Sequence, residues 1–129
     1  PLNMYAVSKC FGEAVAHCFA SQGLSSIAIR VGSFEGNPGM QSQKQPDARS
    51  LSTFVSKRDL SHLIVRCIET PDVPFAIVHG VSNNRFKRMD ITSTKALLNY
   101  QPQDDSFQQF ETGIPNRERW YDESGLGKP

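Results

Sequence analysis

Met4-Tyr-Ala-Val-Ser-Lys-Cys-Phe-Gly-Glu-Ala-Val-Ala-His-Cys-Phe-Ala20, followed shortly by Ser26-Ile-Ala-Ile-Arg-Val31, is the stretch whose reading decides the fold. In its first part Met4, Val7, Phe11, Val15 and Phe19 recur at steps of three and four, the period of one face of an α-helix. Asn3 is placed to cap its start and Gly23 to end it. The second part is a short apolar run rich in β-branched residues, which predicts a buried strand. The same alternation returns downstream. Residues 57–69 predict a helix with Leu60, Leu63, Ile64, Cys67 and Ile68 as its apolar stripe, ended by Thr70-Pro-Asp-Val-Pro74. Phe75-Ala-Ile-Val-His79, closed by Gly80, predicts another buried strand, and a third helix is expected over residues 90–98 with Asp90 as its cap.

Between these elements, residues 32–49 hold Gly36, Asn37, Pro38, Gly39 and Pro46 and predict a long loop, and residues 51–55 a short extended segment. A short helix is expected over residues 105–112 and an irregular, disordered tail towards the end of the chain. Helix, strand, helix, strand, helix indicates an α/β chain with parallel strands. The organisation expected is one domain over residues 1–112 and an irregular tail over 113–129.

Composition narrows the function classes. A net charge of +1 from 14 basic and 13 acidic residues argues against a nucleic-acid binder. Cys10, Cys18 and Cys67 lack CxxC spacing; the first two are expected as small buried thiols on the first helix. Together they point to a reducing, cytoplasmic setting with neither metal nor disulfide framework. No apolar run is long enough for a membrane-spanning helix. A start that lacks an initiator Met and lies close to a helix leads us to expect a piece of a longer protein.

The residues that carry chemistry begin with Tyr5 and Lys9. At i and i+4 they share one helix face, with the ammonium near the phenol. A free phenol titrates near about 10, and a neighbouring cation favours the phenolate, so the pair suits a tyrosine that gives up a proton near neutral pH. The same spacing is also met in a half-buried Tyr beside a Lys stem lying along apolar surface. Gly12 and Ala16 continue the face and are small enough for a neighbour to approach. Ser33 follows Gly32 at the C-terminal end of a predicted parallel strand, where open α/β sheets place ligands; a turn-capping serine has the same signature.

Tyr5-Ala-Val-Ser-Lys-Cys-Phe-Gly-Glu13, the strand Ile27-Ala-Ile-Arg-Val-Gly-Ser33 and the later Phe54-Val-Ser-Lys-Arg-Asp-Leu60 closely resemble the extended short-chain dehydrogenase/reductase superfamily, which includes NAD-dependent sugar epimerases and dehydratases. Val31-Gly-Ser-Phe-Glu35, Arg49-Ser-Leu-Ser-Thr-Phe54, Val78-His-Gly-Val-Ser-Asn83 and Tyr100-Gln-Pro-Gln-Asp-Asp105 are similar to one branch, the uronate dehydrogenases. The resemblance runs to about Phe110. It implies the C-terminal part of a Rossmann-like, doubly wound parallel sheet with a small substrate-binding portion.

It further implies NAD as cofactor, a sugar-acid substrate and a homo-oligomeric parent. Tyr5 would be the general base, also touching cofactor and sugar, and Lys9 the cation that tunes it and holds the nicotinamide ribose. Gly32, Ser33 and Phe34 would border the nicotinamide, Ser33 would contact the sugar, and Arg49 would bind the substrate carboxylate. The parent would oxidise C1 of galacturonate or glucuronate to an aldarolactone. The alternatives are a nucleotide-sugar epimerase or dehydratase, a neutral-sugar dehydrogenase of the same superfamily, and a non-catalytic remnant that binds a partner.

Other candidates are weaker. His17, His62 and His79 are too dispersed for a compact metal pattern. His79 is a candidate pocket wall, Arg85-Phe-Lys-Arg88 reads as a solvated turn, and Asp59 as a residue that caps or orients the second helix. The dinucleotide-binding Gly-rich turn does not occur in the sequence: Gly32, Gly36 and Gly39 follow a later strand. The 129 residues by themselves are therefore expected to show no dehydrogenase activity.

Overall fold

The computed structural model describes residues 3–37 and 46–110. Its first helix, α1, spans Met4–Ala20. Asn3 caps it, the side-chain oxygen accepting from the Ala6 amide at 2.8 Å. The chain leaves α1 through Gly23, whose φ of 94° is a conformation other residues rarely adopt. Strand β1 (Ser26–Val31) then pairs in parallel with β4 (Phe75–Gly80), in register from Ser26 against Phe75 to Val31 against Gly80. A second parallel pair joins β2 (Ser33–Phe34) to β3 (Phe54–Val55). Helix α2 covers Ala48–Ser52, α3 Lys57–Glu69, α4 Thr92–Leu98 and α5 Ser106–Gln109.

The β1–β4 sheet is sandwiched. On one face Leu63 of α3 and Leu98 of α4 pack with Val78, Val81, Ile91 and Tyr100, and Ile27, Ile29 and Ala76 come up against them from the strands. On the other face lies α1, whose His17 ring meets Phe75 edge-on at 4.7 Å. Parallel strands covered by helices on two faces are the expected α/β arrangement.

Which side of α1 meets the sheet differs from expectation. Its apolar stripe is exposed except at Val15, with Met4 at 79% and Phe11 at 70%, while the half-buried positions are Ala6, Glu13, Val15, Ala16 and Ala20. Small side chains let the helix axis approach the strands, and the large ones are left outside. Cys10 and Cys18, expected as buried, are exposed on the same helix. Similarly, β1 is half-buried rather than buried, with Arg30 and Val31 exposed, since among the described residues only β4 flanks it. On α3, Leu63 alone of the predicted stripe is buried, and Ile68 is 79% exposed.

Local boundaries also moved. The expected loop over residues 32–49 contains β2 and runs into α2, which takes in Arg49; the extended segment over 51–55 is the end of α2 followed by β3. Helix α4 starts at Thr92 rather than Asp90, although the Asp90 carboxylate accepts from the Thr92 amide at 3.1 Å. Helix α5 is capped by Asp105 and ends at Gln109, and the tail over 113–129 lies outside the described residues.

Asp59 neither caps α3, a role taken by Ser56, nor stands free. It is buried, and its two oxygens accept from the Gln103 and Asp104 amides at 2.9 and 3.0 Å, fastening the segment before α5 to α3. Tyr100 lies nearby, 1% exposed, its hydroxyl donating to the Val81 carbonyl at 3.0 Å. Burial, and then the charges of Asp59 and Asp104, push its phenol far above the ordinary range. A phenol raised on folding stabilises the protein fully below the unfolded value of about 10 and loses that contribution as pH rises further. Urea unfolding followed against pH is therefore expected to show stability falling above about pH 10. Tyr100→Phe should flatten that alkaline slope and lower stability near neutrality by about 1 kcal/mol, the worth of the lost hydrogen bond. An unchanged slope in Tyr100→Phe would assign it to other groups.

Candidate active site

Four turns of helix with one capped end hold Tyr5 and Lys9 on the same side of α1. The Lys9 Nζ lies 5.1 Å from the centre of the Tyr5 ring. The ammonium thus sits against the ring face, a cation–π contact. Tyr5 is 71% exposed and turned to an open hollow of about 480 Å³ between α1 and β1. Gly12 and Glu13 of α1 and Ala28 to Val31 of β1 complete its lining. No atom stands within 4 Å of where a Cβ on Gly12 would lie, so the wall is open there.

Glu13 and Arg30 fix the helix to the strand. The guanidinium donates from Nε and Nη2 to the two carboxylate oxygens at 2.7 and 2.9 Å. Arg30 holds the Glu13 carboxyl below the usual carboxylate range, and Glu13 holds Arg30 above its own. Sequence reasoning passed over this pair. A signal was present: an arginine inside an apolar strand, and a glutamate continuing the Tyr5–Lys9 face one turn further.

From Val31, at the edge of the hollow, the chain passes into the second half of the site. The Gly32 amide still bonds the Gly80 carbonyl at 3.0 Å, whereas the Ser33 amide bonds Thr53 at 2.8 Å. Gly32 is therefore where the chain leaves β4 and takes up β3, which wedges between β2 and the segment after β4. Ser82 continues the ladder on the far side, its amide donating to the Phe54 carbonyl at 2.8 Å. The opening at such a point, beyond the C-terminal ends of parallel strands, is where α/β sheets hold ligands. Ser33 and Phe34 are half-buried there.

Thr53 ties Ser33 to Arg49. The Ser33 and Thr53 hydroxyls are 2.8 Å apart, and the Thr53 hydroxyl donates to the Arg49 carbonyl at 2.9 Å. Arg49 occupies α2, whose start is capped by Asp47. The Ser50 hydrogen bond holds the Asp47 carboxyl below its usual range, with a smaller contribution from the Arg49 charge. Arg49 is exposed, and among the described residues its guanidinium forms no salt bridge. The described contacts thus join Ser33 to the Arg49 backbone, and β1 carries the chain from the Tyr5–Lys9 hollow to Ser33. They place no contact between the Arg49 guanidinium and Tyr5. Beyond its place in the Arg49–Phe54 motif, no role for Thr53 was legible in the sequence, because its partner lies 20 positions away and meets it only through the β2–β3 pairing.

The remaining candidates have structural partners. The His79 Nδ1 is 2.8 Å from the Asp90 carbonyl, and His62 stacks on Tyr100 at 5.6 Å. Arg85 pairs with Asp105 at 2.9 Å, and Phe86 meets Phe107 edge-on at 5.1 Å. Among the described residues no three His, Cys, Asp or Glu are grouped to hold a metal ion, and no helix is long and apolar enough to cross a membrane. A second hollow of about 560 Å³ beside the start of α3 is polar; in its lining Arg58 pairs with Asp104, and Glu35 accepts from the Lys57 backbone amide.

No protein-family model matches the chain. It is similar to the uronate dehydrogenase of Pseudomonas putida, 39% identical over 82% of this chain and 37% of that protein. It is also similar to the NAD-dependent glucose-6-phosphate dehydrogenase of Haloferax volcanii, 33% identical over 89% of this chain and 42% of that protein. Among solved structures, uronate dehydrogenase from Agrobacterium tumefaciens superposes with a TM-score of 0.71 at 30% identity, over 90% of this chain and 42% of that one; a mutant of the same enzyme was solved in complex with NAD. The chain spans about two-fifths of the length of the relatives it matches.

Proposed function

We propose, from a chain homologous to uronate dehydrogenases and related NAD-dependent sugar dehydrogenases, that these residues form the base-bearing, sugar-binding part of an enzyme that oxidises C1 of a uronic acid to an aldarolactone. The α/β frame is a partial Rossmann-like fold, as in the superfamily its motifs resemble. One observation carries the proposal: the Tyr5–Lys9 face opens on a hollow beside the C-terminal half of a parallel strand, and that strand leads directly to Ser33.

The hollow is of a size that takes small ligands. Its glycine wall, phenol and ammonium suit a nicotinamide riboside, with Lys9 as donor to a ribose hydroxyl and the backbone of Gly32 to Phe34 as a flank. NAD, when bound, supplies the hydride acceptor. Tyr5 takes the proton from the C1 hydroxyl as general base, and Lys9 stabilises the phenolate charge. Ser33 holds a sugar hydroxyl, and Arg49 grips the carboxylate through its paired donors. A Gly-rich pyrophosphate turn is supplied by residues outside this sequence. A cytoplasmic setting, suited to exposed thiols at Cys10 and Cys18, and a homo-oligomeric parent belong to the same reading.

Arg49→Ala in the full-length dehydrogenase tests the substrate. A bidentate, charged hydrogen bond is worth about 1.5–3 kcal/mol, so KM for galacturonate or glucuronate should rise roughly 10- to 150-fold. KM for neutral aldoses should change less than about threefold. Equal effects on both classes reject the clamp. A second reading, a sugar phosphate as substrate, is favoured by the Haloferax relative and by the equal fit of a guanidinium to phosphate. Higher kcat/KM for glucose 6-phosphate than for uronates would establish it.

A further inference from the structure

We infer that Thr53 is a positioning residue that fixes Ser33 as a hydrogen-bond acceptor, so that the site takes a donating sugar hydroxyl at Ser33 and rejects an oxygen or fluorine that can only accept. The inference rests on the proposed sugar site and specifies its polarity.

A hydroxyl carries a single donor and two acceptor lone pairs. The Thr53 hydroxyl lies 2.9 Å from the Arg49 carbonyl, an oxygen that can only accept. Two oxygens at that separation with no proton between them repel, and the Ser50 carbonyl, 3.5 Å away, can also only accept, so the Thr53 proton goes to the α2 carbonyls, Arg49 first. The 2.8 Å contact between the Ser33 and Thr53 hydroxyls then has one consistent direction: Ser33 donates and Thr53 accepts. The Ser33 proton is spent inward, and its lone pairs are left for the open side of the site. Among the described residues no other side chain bonds the Ser33 hydroxyl.

The geometry is built to keep that direction. The Ser33 amide donates to the Thr53 carbonyl at 2.8 Å, so backbone and side chain of Thr53 hold Ser33 together. A Cβ on Gly32 would come within 1.9 Å of the same carbonyl, which shows how closely the two segments are seated. The Arg49 carbonyl at the end of the relay also accepts from the Ser52 hydroxyl at 2.9 Å and the Thr53 amide at 3.2 Å, so α2 stays anchored without the Thr53 hydroxyl. The relay therefore has a use beyond holding the helix. It couples the residue proposed to bind a carboxylate with the residue proposed to bind a hydroxyl, and it distinguishes the two chemically. Carboxylate oxygens accept only; they suit Arg49 and are repelled at Ser33.

The test uses the full-length dehydrogenase, Thr53→Val and Thr53→Ser, with a uronate and its monofluoro analogues at each ring hydroxyl other than C1. Fluorine accepts weakly and cannot donate. In the wild type, fluorine at the position facing Ser33 is expected to raise KM about tenfold. Thr53→Val releases the Ser33 proton: KM for the parent uronate should rise about fivefold, the worth of one neutral hydrogen bond, with kcat changed less than twofold. The penalty for fluorine at that one position should shrink to about threefold or less. Thr53→Ser should restore both values. A hydroxyl-over-fluorine ratio unchanged in Thr53→Val, or not restored in Thr53→Ser, overturns the inference. Turnover of glucose 6-phosphate in place of uronates rejects the substrate reading alone, and the same ratio on fluorinated sugar phosphates then decides the relay.

Discussion

Tyr5→Phe is expected to lower kcat of the full-length dehydrogenase by two to four orders of magnitude, the span typical of removing a general base. The substitution is unusually clean to interpret. Tyr5 is 71% exposed on an α1 that buries none of its residues, so losing one hydroxyl there should shift stability by no more than about 0.5 kcal/mol. The ring, and with it the seat of the Lys9 ammonium 5.1 Å from its centre, is retained. Cofactor affinity should therefore stay within about twofold, and a melting curve should match the wild type. Loss of turnover with both unchanged assigns the hydroxyl to chemistry. A Tyr5→Phe enzyme keeping more than a tenth of the wild-type kcat would remove Tyr5 from the mechanism.

The second large effect is expected in the backbone. A Cβ on Gly32 would lie 1.9 Å from the Thr53 carbonyl oxygen and 2.8 Å from Val81 Cγ1. The nearer obstacle is backbone, and it is already the acceptor for the Ser33 amide at 2.8 Å, so it cannot recede without breaking that bond. Gly32→Ala must therefore part β2 from β3 or push β1 off register. A loss of about 3 kcal/mol is expected, at the upper end for an overpacked site, read from the urea midpoint. Activity should fall with it, because Ser33 and Thr53 are displaced together. Gly12→Ala is the control: nothing lies within 4 Å of its Cβ position, and alanine in a helix interior should gain about 0.8–1 kcal/mol. If Gly32→Ala is as stable as Gly12→Ala, the close seating of the two segments is not required.

Much of the frame was legible because its signals are local. The 3.6-residue period and the Asn3 cap located α1 at Met4–Ala20, and the β-branched runs located β1 and β4 to within a residue. Helix α3 fell at Lys57–Glu69 for the same reason. What the period could not tell is which side of α1 would be covered. Met4, Val7 and Phe11 read as a core stripe, yet it is the alanine and glutamate side that approaches the sheet. Periodicity reports where apolar residues cluster, whereas packing depends on how close two backbones can come.

The candidate site divides along the same line. By itself the sequence determined that Tyr5 and Lys9 share a face, since an i to i+4 spacing on a helix leaves no other outcome, and that Ser33 stands at the end of a strand. Only the tertiary structure decided what surrounds them. Glu13 meets Arg30, and Ser33 meets Thr53, across 17 and 20 positions. These contacts form because β1 pairs with β4 and β2 with β3, and parallel pairing is set by the burial of whole elements, not by any short run of residues. The direction inferred for the Ser33 hydroxyl rests on a contact that exists only through that pairing.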